Sequence, residues 1–205
     1  MNLARHSRSP AGPGWLETGT IFPLDYHCCA SGIPVGQADW PAIKQILPEK
    51  VLRLERCKGM FEALLEDLHA SVWLPPDGHI LPHVKRVIGA LLPGHHFKFG
   101  IAIDALDRLH HAEYAYRKPE TQKREGVKFE GMYVVYVHQV RSVVAFAEHA
   151  CIDHFKDNCL TSARCVNIKA DLDDHKHFDD SDEEREDAQG PHVLYIAFGV
   201  SCRRF

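Results

Sequence analysis

The sequence has no long hydrophobic run. No window approaches 18 uncharged apolar residues, so we expect no transmembrane helix and no membrane partner. Residues 1–14 (MNLARHSRSPAGPG) lack the apolar stretch of a secretory signal. Because they contain Arg and Ser, and no acidic residue occurs before Glu17, organellar targeting stays open.

Cysteine is sparse and lacks the spacing of a motif. The chain has seven cysteines and none forms a C-x-x-C pair. An odd number without such a pair is typical of an intracellular protein with reduced thiols, so we expect a nuclear or cytoplasmic location. None of the fifteen histidines shows the tight spacing of a structural zinc site. A metal-binding protein built on scattered Cys and His residues is kept as an alternative.

The charge is unevenly distributed along the chain. The 205 residues are 45% hydrophobic and 25% charged, which is enough apolar content for a proper core, and the net charge is −4. Residues 171–187 (DLDDHKHFDDSDEERED) hold ten acidic and two basic residues, a net of −8, so the rest of the chain is about +4. A mildly basic body with one acidic loop suits an anionic partner.

Proline and glycine divide the chain into three parts. Residues 1–48 are rich in both and predict an extended arm, with at most a short helix near 40–47. Apolar residues at helical spacing predict a helix over 49–73, so that 49–78 forms a helical extension ended by the turn Pro-Pro-Asp-Gly. Residues 79–205 form the main domain, with an acidic loop insertion at 171–190.

Strand and helix patterns alternate in the main domain. Apolar and β-branched runs predict four strands, the first two paired as a hairpin: 84–92, 96–103, 131–140 and 192–200. Helices are predicted over 105–116, after the N-cap Asp104, and over 142–155, with a basic loop at 117–128. We therefore expect an α+β fold with a small, mainly antiparallel sheet flanked by helices.

The segment FKFGIAIDALDRL (97–109) carries the most specific pattern. Gly100 ends an aromatic-x-apolar-Gly strand, and Arg108 follows eight positions later on the next helix. This spacing resembles the GIY-YIG nuclease superfamily, in particular its phage-type branch with Y-K-I-G in the second strand. The resemblance covers roughly residues 84–168 and implies a GIY-YIG-like fold and metal-dependent hydrolysis of DNA phosphodiester bonds.

The resemblance also assigns roles to individual residues. Glu148, on the helix after the third predicted strand, would hold a single Mg²⁺ or Mn²⁺ ion, and Asn167 would hold the following loop by side-chain hydrogen bonds. Arg108 would stabilise charge on the phosphate. Phe97 stands where the second strand of the family has tyrosine, and the expected first strand, VIGALL, has no tyrosine at all. Four residues lie near enough in the sequence to replace the lost hydroxyl: His110, His111, Tyr114 and Tyr116. Of these, His111 and Tyr116 are taken as the candidates for the site.

A DNA substrate would need basic side chains near these residues. Six positions in and before the basic loop are candidates for contacts with the DNA backbone: Lys98, Arg117, Lys118, Lys123, Arg124 and Lys128. The nuclease interpretation also predicts that Arg108 and Glu148 open onto one concave face beside the FKFG strand. The alternative is a catalytically inactive GIY-YIG-like module that binds nucleic acid or protein.

Overall fold

The computed structural model describes residues 40–75, 79–111, 115–167 and 190–202. Most of the predicted arm, the turn at 76–78 and the acidic loop lie outside these residues. The described chain forms seven helices and four strands: α1 (Trp40–Ile46), α2 (Glu49–Leu52), α3 (Cys57–Glu66), β1 (Ala70–Val72), α4 (Ile80–Ala90), β2 (His95–Ala102), α5 (Ala105–His110), α6 (Pro119–Glu125), β3 (Val127–His138), α7 (Arg141–Asp157) and β4 (His192–Ser201). None of the described helices is long and apolar enough to span a membrane.

The strands form one mixed sheet in the order β1-β3-β4-β2. β1 runs parallel to β3, whereas β4 is antiparallel to both of its neighbours. The expected α+β fold, with a mainly antiparallel sheet flanked by helices, is therefore confirmed in outline. β2 stands at one edge of the sheet, and the last strand of the chain occupies the position beside it.

Alternating side chains of β4 divide the core into two clusters. Tyr195 and Ala197 belong to the first cluster, together with side chains of α1, α2, α3 and α5. Leu194 and Ile196 belong to the second cluster, together with side chains of α4 and α7. Because successive residues of a strand point to opposite faces, the two clusters lie on opposite faces of the sheet. We call these the first face and the second face.

Residues 84–92 are not a strand, so the predicted hairpin is wrong. They belong mainly to α4, whose buried residues Val84, Val87, Ile88 and the following Leu91 recur at the spacing of one helix face. β-branched residues suit strands in general, but here this apolar face packs on the second face of the sheet. The strand that pairs with β2 is β4.

The predicted helix over 49–73 is also interrupted. It contains α2, α3 and then β1, because the Asp67 carboxylate accepts the backbone N–H groups of His69 and Ala70 after α3 ends. β1 joins the sheet next to β3, so the chain before residue 76 contributes to the same sheet as the main domain. The basic loop contains α6, which begins at Pro119, ends at Glu125 and is capped by Gly126 in the left-handed conformation.

The other predicted elements are present with small shifts. β2, β3 and β4 match the strands expected at 96–103, 131–140 and 192–200. α1 and α7 match the helices expected near 40–47 and over 142–155. The helix predicted after Asp104 is shorter than expected, since α5 ends at His110.

Candidate active site

A cavity of about 300 Å³ opens beside β2, at the edge of the sheet. We call it the β2 cavity. Side chains and backbone from β2, α5, α6, α7 and β4 contribute to its wall, which consists of Lys98, Phe99, Gly100, Ile101, Arg108, Tyr116, Thr121, Arg124, Glu125, Glu148, Asn167 and Tyr195. Arg108 and Glu148, forty residues apart in the sequence, thus open onto one concave surface beside the FKFG strand, as the sequence analysis expected.

Gly100 makes room for the ring of Tyr195. The two residues are register partners on β2 and β4. A Cβ atom on residue 100 would lie 2.3 Å from the hydroxyl oxygen of Tyr195 and 2.4 Å from its Cζ. Gly100 does not have the positive φ that the structure records for Gly94 and Gly126. Its role in the fold is therefore the close approach of a side chain, not a special backbone torsion.

Two tyrosine hydroxyls meet in the β2 cavity. The hydroxyl oxygens of Tyr116 and Tyr195 are 3.1 Å apart and share a hydrogen bond. Burial raises the pKa of Tyr195, against the lowering effect of hydrogen bonds from Tyr116 and Arg108. Burial also raises the pKa of Tyr116, and the neighbouring Tyr195 adds to the shift. Both hydroxyls therefore stay protonated at neutral pH and act as hydrogen-bond donors as well as acceptors.

Arg108 reaches the cavity from α5. The carboxylate of Asp104 caps this helix by accepting the backbone N–H of Asp107 at 3.0 Å, which orients its first turn beyond the end of β2. The Arg108 guanidinium hydrogen-bonds Tyr195, and its positive charge lowers the pKa of Tyr116. The residue is exposed and lines the cavity, so its guanidinium lies beside the space in which an anion would bind.

Glu148 comes from α7, the helix that packs on the second face. Burial raises the pKa of its carboxyl group, while the positive charges of Arg141 and Lys98 lower it. The Nζ atom of Lys98 lies 2.9 Å from Oε1 of Glu125, so this lysine also bridges to α6. Glu148 is therefore a partly desolvated carboxylate facing a cavity that contains positive charge.

Asn167 fastens the chain after α7 to the outer edge of β2. Its Oδ1 accepts the backbone N–H of Phe99 at 2.7 Å, and its Nδ2 donates to the Phe99 carbonyl at 3.0 Å. Cys165 forms a parallel bridge to Phe97 just before it. The amide side chain thus pairs with the strand as a backbone would, which is the holding role that the resemblance implied.

Several predicted site residues lie away from the β2 cavity. Phe97 is fully buried on the second face, with its ring edge-on to Phe99 and Phe155, so it is a core residue. His111 follows α5, and its Nε2 lies 4.0 Å from an oxygen of Asp107. Of the predicted DNA-binding residues, Lys98 and Arg124 line the cavity, whereas four others do not: Arg117, Lys118, Lys123 and Lys128.

Sequence reasoning missed Tyr195. It is the tyrosine in the strand HVLYIAFGV, which was correctly predicted as a strand but not placed beside β2. The available signal was the glycine at position 100, since a glycine inside a strand often marks the close approach of another group. The apolar run at 84–92 predicts a nearer partner for β2, so the sequence gives no separate indication that β4 pairs with it.

The residues of the β2 cavity fit a magnesium ion held by one carboxylate. Within the described ranges there is no group of three or more His, Cys, Asp and Glu side chains that could hold a metal ion. Mg²⁺ does not need such a group, because it keeps several water ligands and is often bound by one or two carboxylates plus substrate phosphate oxygens. Glu148 is suited to be that carboxylate, because a bound cation would compensate for its burial.

Comparison with known proteins identifies no relative of this chain. It matches no protein-family model, no curated protein and no solved structure. The geometry of the β2 cavity is therefore the basis on which a function can be inferred.

Proposed function

We propose that the protein is a divalent-metal-dependent endonuclease of GIY-YIG type, which hydrolyses DNA phosphodiester bonds in the β2 cavity. One observation carries the proposal: Arg108 and Glu148 line the same cavity as a hydrogen-bonded pair of tyrosine hydroxyls. An anion-binding guanidinium, a metal-binding carboxylate and groups that can orient water are the parts that phosphodiester hydrolysis requires.

The position of Tyr195 supports the GIY-YIG interpretation. The family pattern has a tyrosine in its first strand, and the run at 84–92 supplies none. β4 pairs antiparallel with β2 and sets Tyr195 opposite Gly100. We infer that β4, from the other end of the chain, takes the place of the first strand, so that the order of the elements is circularly permuted. The loss of the first-strand tyrosine is then no argument against catalysis.

The chain's own residues divide the chemistry among them. Arg108 donates N–H groups to the phosphate oxygens and stabilises the charge that develops there. Lys98 and Arg124 add positive charge to the wall of the cavity. The paired hydroxyls of Tyr116 and Tyr195 orient the attacking water. A Mg²⁺ or Mn²⁺ ion held by Glu148 would supply the positive charge that stabilises the leaving oxygen.

The test is cleavage of a supercoiled plasmid and of a branched DNA with Mg²⁺ or Mn²⁺ present. The wild type is expected to nick the DNA. Arg108→Ala and Glu148→Gln are each expected to lose about 10²- to 10³-fold in rate, since each removes a group that stabilises the transition state. Tyr195→Phe keeps the ring over Gly100 and removes only the hydroxyl, so a smaller loss is expected.

Each variant has a matched control elsewhere on the surface or in the sheet. Arg53→Gln and Glu62→Gln remove exposed charges outside the β2 cavity, and Tyr136→Phe removes a half-buried hydroxyl from β3. These three are expected to cleave at the wild-type rate. Equal losses in controls and site variants would contradict the assigned site. A wild type that binds DNA but never cleaves it, with either metal, would favour the inactive binding module instead.

A further inference from the structure

A second cavity, of about 460 Å³, adjoins the β2 cavity. The two share Ile101 and Arg108. The remaining wall includes two more arginines, Arg56 and Arg141, together with His192, and we call this space the arginine cavity. Because Arg108 belongs to both walls, an anion bound in either cavity would lie beside this arginine.

The arginines of the second cavity come from separate parts of the chain. Arg56 immediately precedes α3, Arg108 lies on α5 and Arg141 is the first residue of α7. Two carboxylates, Asp104 and Asp107, also line the cavity. The first of them is engaged in capping α5. The arginines exceed the carboxylates even with His192 neutral, so the cavity suits an anion.

The backbone at Gly190 holds Arg56 in place. Gly190 is buried, has φ +135°, and lies two residues before the start of β4. A Cβ atom at this position would lie 3.5 Å from Cδ and 3.6 Å from Cβ of Arg56, so the stem of the arginine packs along the glycine. The contact positions a long, otherwise exposed side chain at the wall of the cavity, which lowers the entropy lost on binding an anion.

Arg141 links the arginine cavity with the proposed catalytic carboxylate. Its positive charge lowers the pKa of Glu148, which places the two groups within electrostatic reach of each other. Arg108 likewise hydrogen-bonds Tyr195 in the β2 cavity. Arg108 and Arg141 therefore connect the arginine cavity electrostatically with the residues that would act on the phosphodiester.

We propose that the arginine cavity is a second phosphate subsite, which holds the sugar-phosphate backbone next to the bond cleaved in the β2 cavity. The proposal rests on the proposed nuclease function. Guanidinium groups bind phosphate oxygens in a planar, bidentate manner. Contacts of this kind position the strand and add affinity without reading its sequence. The subsite thus adds affinity for the strand beside the phosphodiester that meets Arg108.

The test measures DNA binding in EDTA, so that cleavage cannot occur. Fluorescence anisotropy with a labelled duplex of about 30 base pairs gives Kd between roughly 50 and 200 mM NaCl. Arg56→Gln is expected to raise Kd by about tenfold and to make the slope of log K against log salt shallower by about 0.9, as for one lost phosphate contact. Arg56→Lys keeps the charge and is expected to restore the slope but not the full affinity.

The control is Arg53→Gln, an exposed arginine of the preceding turn that lines neither cavity. It is expected to bind DNA as the wild type does. Equal changes in the Arg53 and Arg56 variants, or an unchanged slope in Arg56→Gln, would overturn the subsite. Arg141→Gln gives an independent second reading at the other wall of the cavity, and thermal melting verifies that each variant is folded.

Cleavage kinetics separate the subsite from the nuclease proposal. With Mg²⁺ present, Arg56→Gln is expected to raise KM and leave kcat within about twofold, because the subsite binds ground state and transition state alike. A fall in kcat with KM unchanged would overturn the assignment of the cavity as a binding subsite. A wild type that never cleaves, yet shows the slope change at Arg56, would overturn the nuclease and support the subsite.

Discussion

The two faces of the sheet are covered differently, and the difference locates the candidate site. On the second face, α4 and α7 cover β2 as well as β4, so that Phe97 and Phe99 are fully buried. On the first face, the helices cover mainly β3 and β4. Among the described residues, β2 contributes a single side chain, Ala102, to the first-face cluster. The β2 cavity lies where this cover ends.

Alternate residues of β2 contribute to the core on one face and to the β2 cavity on the other. Its second-face residues include Phe97 and Phe99, which bury large apolar surfaces and stabilise the fold. Its first-face residues include Lys98 and Gly100, which leave space and charge over the edge of the sheet. Stability and proposed function thus depend on neighbouring residues of the same strand that point in opposite directions.

The largest loss of stability is expected on the second face. Phe99→Ala removes a ring that packs edge-on to Phe97 and against Phe155. A fully buried phenylalanine replaced by alanine costs about 3–5 kcal/mol, which is a large part of the stability of a small domain. Urea unfolding followed by circular dichroism measures the change in the free energy of unfolding.

The adjacent first-face position provides the comparison. Lys98→Ala removes an ion pair with Glu125, whose side chain is only 14% exposed, and is expected to cost about 1–2 kcal/mol, less than Phe99→Ala. The same variant is expected to weaken DNA binding, because Lys98 lines the β2 cavity. Similar losses of stability at both positions would show that the two faces do not differ as described.

An intermediate effect is expected where the strand meets Tyr195. Gly100→Ala places a Cβ atom 2.3 Å from the Tyr195 hydroxyl, so the ring must move. Overpacking of this kind costs about 1–3 kcal/mol, and the displaced hydroxyl should reduce cleavage as strongly as Tyr195→Phe does. Thermal melting and the plasmid assay measure the two effects separately.

Gly89 in α4 is the matched control for this substitution. A Cβ atom there would meet no other atom within 4 Å. Gly89→Ala is therefore expected to stabilise the protein, by up to about 1 kcal/mol, because alanine favours a helix over glycine. A Gly100→Ala variant as stable and active as the wild type would refute the close approach of Tyr195.

The residues of the β2 cavity could be predicted from the sequence only where local patterns determine their positions. The spacing from Gly100 to Arg108 correctly placed a strand, a turn and a short helix, because each of these depends on nearby residues. The resemblance also selected Glu148 and Asn167, which both line the cavity. These residues meet because α7, the helix after β3, packs back on the sheet. The short-range spacing of the sequence is compatible with this packing but does not specify it.

The pairing of β4 with β2 could not be predicted in this way. Nothing in the local pattern of HVLYIAFGV indicates which strands it lies between, since its burial on both faces suits any central position. The run at 84–92 also offered a nearer partner, because its valines and isoleucine suit a strand as well as a helix. The length of this run and the composition of the loops around it fit a strand as well as a helix. The run forms a helix because its apolar face packs on the sheet.

A smaller change in the free energy of unfolding is expected at Glu148, and here the substitution stabilises the protein. Burial raises the pKa of this carboxyl group in the folded protein. The folded state then binds its proton more tightly than the unfolded chain, so the free energy of unfolding falls as pH rises from the ordinary Glu pKa through the raised one. Glu148→Gln removes this penalty and should be more stable than the wild type at pH 7, with no difference below about pH 4.

Glu148→Gln also tests whether Glu148 binds a metal ion, by a measurement that does not depend on cleavage. Mg²⁺ is expected to raise the Tm of the wild type and to leave that of Glu148→Gln unchanged, because a cation that binds the folded state stabilises it. Glu62→Gln, at an exposed position of α3, should respond to Mg²⁺ as the wild type does. An equal rise in Tm for all three proteins would show that Glu148 does not hold the ion.

The smallest effect is expected at Asp67, a carboxylate that supports the first face without entering the cavity. Burial alone would raise its pKa, but the backbone N–H of His69 and the neighbouring His110 outweigh it, so the pKa is lowered. Nε2 of His110 lies 2.8 Å from the carboxylate, which ties the end of α5 to the chain before β1. Asp67→Asn is therefore expected to cost about 1 kcal/mol at pH 7.

The pH dependence distinguishes this carboxylate from Glu148. Because the pKa of Asp67 is lowered in the folded state, its contribution is present above the ordinary Asp pKa and is lost as pH falls through the folded value. The difference between wild type and Asp67→Asn should thus shrink below about pH 4, with the exposed Glu55→Gln as control. The two carboxylates change stability in opposite directions above that pH because Asp67 has hydrogen-bond donors for its charged form, whereas Glu148 is desolvated beside the cavity. Slopes of the same sign would mean that Glu148 supports the fold as Asp67 does, and would remove the argument that its position is reserved for a cation.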